Sequence, residues 1–133
     1  MLKYEKDIVV TNDGGIYATT IDLGNHRLTG DEPVKEGGRD LGPAAHQFLL
    51  AALGQCMVVT LCMYARRKAW TLDKISVHLN LERKHDTGEE TNIIYKKILI
   101  EGNLTDEQKA RLTEIAGRCP VHKLLTGKIE IVS

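Results

Sequence analysis

Serine is almost missing from this chain of 133 residues, occurring only as Ser76 and Ser133, so a Ser-His-Asp hydrolase lacks convincing nucleophiles. Aromatic residues make up 5% of the chain, which leaves any core to aliphatic side chains. Neither charge sign dominates. Eighteen basic and eighteen acidic residues cancel, with no long run of either, so the electrostatic footprint of a nucleic-acid binder is absent. No apolar leader precedes the first turn signals, and a cytoplasmic protein is expected. Gly37-Gly38 and Gly42 are not followed by the pattern of a phosphate-binding loop. A C-x-x-H spacing occurs once, at Cys119 and His122, without the second short-spaced pair that a structural zinc site needs. No metal or cofactor is therefore expected. The cysteines number three, which in a reducing compartment points to reduced thiols and, at most, a transient catalytic disulfide.

Against these absences stands enough apolar material, 42% of residues, for one globular domain spanning 1–133. Ile8–Thr11 and Ile16–Ile21 flank Asn12-Asp13-Gly14-Gly15, the signal of a hairpin. A third strand is expected over His26–Thr29, completing an N-terminal antiparallel meander. A loop with Pro33, Gly37 and Gly38 follows. From Gly42-Pro43 to about Lys68 the residues are good helix formers without an internal proline. Phe48 to Ala65 carries no charge and reaches the length of a membrane span, but Gly54, Gln55 and Thr60 interrupt it, and flanking strands need something to pack on. A buried core helix is the preferred reading, with no membrane partner.

Two alternating segments come next. Ile75–Arg83 places Val77, Leu79 and Leu81 on one face, and Asn92–Glu101 aligns Ile94, Ile98 and Ile100. Both are predicted strands on one side of the long helix, joined by an exposed loop over Lys84–Thr91. Thr105-Asp106-Glu107-Gln108 reads as a capping box, opening a helix that stops at Gly117. A helical turn or two after Cys119-Pro120, a stop at Gly127 and a last strand over Ile129–Val132 complete an α+β chain.

Cys56 lies mid-helix among small and aliphatic residues, where a cysteine serves either as a small hydrophobe or, given a partner, as a thiol. Cys62 is six residues on, a rotation of ~600°, and so faces elsewhere and is assigned to packing. Cys119 falls at an N-cap, where the unpaired N–H groups of the first turn favour a thiolate and predict a lowered pKa. A capping cysteine without chemistry is the other reading.

Gly42-Pro43-Ala44-Ala45-His46-Gln47-Phe48-Leu49-Leu50-Ala51-Ala52-Leu53-Gly54-Gln55-Cys56, continued by Thr60–Ala65, resembles the cysteine helix of the osmotically inducible protein C and organic hydroperoxide resistance (OsmC/Ohr) family. His26-Arg27-Leu28, Asp31-Glu32-Pro33 and Arg118-Cys119-Pro120-Val121-His122 are similar to its flanking segments in an OsmC-like subgroup. The resemblance implies an intertwined homodimer with the long helices at its centre. It also implies a peroxidase in which Cys56 attacks an organic hydroperoxide, Cys119 resolves the sulfenic acid as a disulfide, and a small dithiol or lipoyl-type reductant restores both. Family peroxidases orient an arginine onto the thiol with a glutamate nine or ten residues before it. Here those positions hold Gln47 and His46, and Arg27 is the first candidate arginine, with Arg39 second. The departure leaves a catalytically weak binding protein, or a subgroup with different thiol chemistry, as the alternative.

Overall fold

The computed structural model describes residues 1–86 and 88–133, with the main chain alone for Asp86. It divides into two compact units, Met1–Leu49 and Leu50–Ser133.

The first unit is an antiparallel meander of β1 (Val9–Thr11), β2 (Thr19–Asp22) and β3 (Arg27–Gly30), in that spatial order. Val9 faces Asp22, and Asp22 faces Arg27 across the second ladder. The strand expected from Ile16 begins only at Thr19. Asn12 is the reason, because its amide donates to the Gly15 and Ala18 carbonyls at 3.0 and 2.9 Å and ties residues 12–18 into the connection. Beyond β3, one buried carboxylate organises the loop. Asp31 accepts main-chain N–H groups from Glu32 (2.7 Å), Arg39 (3.3 Å) and Leu41 (3.2 Å). These bonds, the Glu32 N–H foremost, hold its carboxyl below the ordinary range. Gly42 is required at the loop's end, since any Cβ there would overlap the Thr29 carbonyl.

A long helix follows, α1 (Ala45–Arg67). Its start is closed by Gln47, whose Oε1 accepts the Ala44 N–H at 2.9 Å. Its end is a Schellman motif, with Trp70 N–H returning to Ala65 O (2.9 Å) and Ala69 N–H to Arg66 O (3.1 Å). That motif needs a left-handed residue, and Ala69 takes φ +56° where glycine is usual. An alanine there costs about 1 kcal/mol in Cβ crowding. Ala69→Gly is therefore expected to raise unfolding stability by up to about 1 kcal/mol, read from the urea midpoint at constant slope.

In the second unit, β4 (Lys74–Asp86) and β5 (Glu89–Glu101) form one antiparallel ladder, from Lys74 opposite Glu101 to Asp86 opposite Glu89. The exposed loop expected over Lys84–Thr91 is mostly strand instead, its residue 87 lying outside the described residues. Opposite charges let the ladder continue, with Arg83 3.6 Å from Glu90 of the facing strand. Helix α2 (Asp106–Ala116) carries the expected capping box: Thr105 Oγ1 accepts from Gln108 N–H at 3.1 Å, and Gln108 Oε1 accepts from Thr105 N–H at 2.9 Å. Helix α3 (Pro120–Thr126) closes at Gly127.

Leu53, Met57, Leu61 and Ala65 recur at four-residue spacing and form the buried stripe of α1. Leu61 packs with Leu112, Ile115 and Ala116 of α2, and Arg111 Nε donates to the Tyr64 hydroxyl at 3.2 Å. Leu53 and Met57 pack with Cys119 and, around them, Val77, Leu79 and Ile94 of the hairpin. Gly54 lets the strand come near, because a Cβ there would lie 2.8 Å from Leu79 Cδ1.

Burial of α1 is narrower than a core helix implies: Val59 is 42% and Met63 60% exposed. One hairpin and two short helices cannot wrap a helix of 23 residues that carries no charge before Arg66 and Arg67. By length and composition alone, it is also the one helix among the described residues that could cross a membrane. The strand expected over Ile129–Val132 does not form. Among the described residues no strand pairs with it, and Ile131 stands 96% exposed.

Candidate thiol site

Proline at the first helical position sets φ for α3 and leaves Cys119 extended at the N-cap, with φ −67° and ψ 146°. Cys119 Sγ then accepts the His122 N–H at 3.3 Å, as an N-cap side chain does. The preceding donor goes elsewhere. Val121 N–H points to Cys56 Sγ at 3.4 Å, so two consecutive amides of one short helix meet the sulfurs of two cysteines 63 positions apart. Helix α1 supplies one thiol and the start of α3 the other, within a single unit.

The two thiols differ in exposure. Cys119 is fully buried, whereas Cys56 is only partly so. Burial pushes the Cys119 thiol up from its ordinary value, against the opposing pull of the His122 N–H, and the hydrogen bond and charge of Cys56 push it further. The sequence expectation of a lowered pKa at Cys119 is thus overturned. The donor that cap position promises is present, but desolvation outweighs one N–H bond to sulfur. Cys62 is half-buried and belongs to neither sulfur contact.

The remaining candidates sit in the first unit. Arg27 is an exposed strand residue whose guanidinium lies 3.9 Å from the Asp22 carboxylate opposite it, with 73% of its side chain exposed. Gln47 spends its amide oxygen on the helix start, and Arg39 is held by its main chain to Asp31. Among the described residues, no three His, Cys, Asp or Glu side chains converge as metal ligands. What sequence reading missed is the Val121 amide. Its signal was present in Cys-Pro-Val-His, since a capping cysteine takes only one of the free N–H groups after a proline.

Comparison with known proteins gives a consistent family. The model described as OsmC-like protein matches residues 37–133. Among solved structures, an OsmC like protein from Mycoplasma pneumoniae is 21% identical, with TM-score 0.72 over 93% of this chain and 90% of that one. An organic hydroperoxide resistance protein from Elizabethkingia anophelis is 21% identical, with TM-score 0.70 over 97% and 94%. The organic hydroperoxide resistance protein OhrB of Bacillus subtilis is 21% identical, with TM-score 0.65 over 94% and 94%. At such identity these likenesses establish the fold. Comparison with curated proteins gave no match.

Proposed function

This chain belongs to the OsmC-like protein family, and from that premise we propose that it is a thiol peroxidase reducing organic hydroperoxides through Cys56 and Cys119. The observation that carries the reading is the pair of adjacent amides, Val121 and His122, each donating to one of the two sulfurs. An N–H donor stabilises negative sulfur, and Cys56 is the thiol that solvent and peroxide reach.

In the proposed cycle the Cys56 thiolate attacks the distal peroxide oxygen. The O–O bond breaks, the alkoxide takes a proton and leaves as alcohol, and Cys56 becomes a sulfenic acid. The Cys119 thiol then displaces hydroxide from that sulfur, forming the Cys56–Cys119 disulfide and, with its proton, water. A small dithiol, or a lipoyl-type one, reduces the disulfide and is itself oxidised. Its full burial suits Cys119 to this second role, because Cys56 is the thiol that solvent meets first. In this reading residues 1–133 act as one domain of a cytoplasmic homodimer. The uncovered flank of α1, with Val59 and Met63 exposed, supports such pairing.

The test is cysteine-resolved mass analysis of reduced protein after one equivalent of cumene hydroperoxide, with hydrogen peroxide in parallel. Rapid loss of two hydrogens, mapped to a Cys56–Cys119 bond with the organic peroxide, is the expected result; thiols that stay reduced would refute it. One observation favours a second reading, a binding protein with little catalysis. Gln47 replaces the family carboxylate and is occupied in closing the helix. That reading requires an unreactive Cys56 and ligand-dependent thermal stabilisation without turnover.

A further inference from the structure

A cavity of about 250 Å³ opens within the second unit between α1, β5 and α3. Asn92, Ile94 and Lys96 alternate onto one face of β5 and reach it together. His122, Leu125 and Thr126 reach it from α3, at the three- and four-residue spacing of one helix face. Its apolar walls are Leu53, Met57, Ile94 and Leu125, four residues of the cluster that also encloses Cys119 and Cys56. Its polar edge is Asn92, Lys96, His122 and Thr126. The Thr126 hydroxyl donates to the His122 carbonyl at 2.9 Å, so it has no proton left for a guest.

Charge decides what the cavity selects. No carboxylate lines it, and among the described residues Lys96 has no ion-pair partner, although Glu82 and Glu90 on the same hairpin are paired with Lys84 and Arg83. A free ammonium, an amide and an imidazole above an aliphatic floor recognise an anion with a hydrocarbon tail. At interior packing density the volume holds roughly eight to ten non-hydrogen atoms. We propose that this cavity binds a short aliphatic monocarboxylate, its chain against Leu53, Met57, Ile94 and Leu125 and its carboxylate on Lys96. Its role beside the cysteines rests on the peroxidase reading: the acid would be part of a hydroperoxide or of the thiol that reduces the disulfide.

Binding is tested apart from chemistry, by calorimetry on the full-length Cys56→Ser protein. Octanoate is expected to bind, octylamine about tenfold more weakly or worse, and Lys96→Gln to lose about tenfold for octanoate while Lys96→Arg keeps it. Absence of octanoate binding, equal binding of acid and amine, or indifference to Lys96→Gln would overturn the site. In otherwise wild-type protein, Lys96→Gln should then raise KM for a hydroperoxide of hexanoic acid but not for cumene hydroperoxide if the substrate carries the acid. It should slow reduction by 6-mercaptohexanoate but not by 2-mercaptoethanol if the reductant does. Neither effect, with binding intact, would sever the cavity from the reaction. A failed peroxidase reading would leave the calorimetric result unchanged.

Discussion

Cys56→Ser is expected to abolish turnover of organic hydroperoxides, by on the order of 10³-fold or more in kcat/KM. A serine hydroxyl is slightly smaller than the thiol and can still accept the Val121 N–H, so the fold has no reason to fail. It does not ionise near neutrality, however, and an alkoxide oxygen cannot pass through a sulfenic acid. Cys119→Ser should behave differently. Attack by Cys56 needs no second thiol, so one equivalent of peroxide is consumed and the enzyme stalls, with the Cys56 sulfenic acid trapped by dimedone as a mass adduct. Peroxide consumption by pre-reduced protein freed of reductant, followed with the adduct mass, separates the two variants. Turnover retained in Cys56→Ser would exclude the proposed mechanism, and wild-type protein that is equally inert would favour the binding-protein reading.

Leu61→Ala should cost about 3 to 4 kcal/mol, the range for a large-to-small change at a buried position with rigid neighbours. Leu61 has no exposed surface and shares a buried cluster with Leu112, Ile115 and Ala116 of α2, against which Ile98 of the hairpin packs. Neither an α-helix nor a β-ladder can slide inward far enough to fill the space its side chain leaves. For a chain of 133 residues this corresponds to roughly 10 °C in Tm, measurable by calorimetry. Val59→Ala, two positions earlier and 42% exposed, should cost under about 1 kcal/mol. A loss at Val59 as large as at Leu61 would mean that another surface covers that flank of α1 in solution.

Much of this architecture was legible beforehand because its signals are local. Alternation defined the two long strands, the Thr105 to Gln108 capping box defined the start of α2, and Cys119-Pro120 placed a thiol at the cap of α3. Elements whose formation depends on a distant partner were not legible in the same way. Ile129–Val132 has the composition of a strand, but a strand exists only in a ladder, and among the described residues none accepts it. Lys84–Thr91 has the composition of a loop, yet a continuous ladder with Arg83 paired to Glu90 across it keeps most of it in the hairpin. The early end of the first hairpin came from one asparagine side chain, whose bonds to two carbonyls no periodicity announces.

By itself, the sequence determined the α+β class, the long apolar helix with Cys56 in it, the capping position of Cys119 and the family to which these motifs belong. Only the tertiary structure decided that the two sulfurs share the first amides of α3, and that Cys119 is the buried thiol whose pKa rises. Only it assembled Lys96, His122 and the aliphatic floor into one cavity. Helix periodicity and capping are written in neighbouring residues. Desolvation and the meeting of groups dozens of positions apart depend on which surfaces the folded chain removes from water.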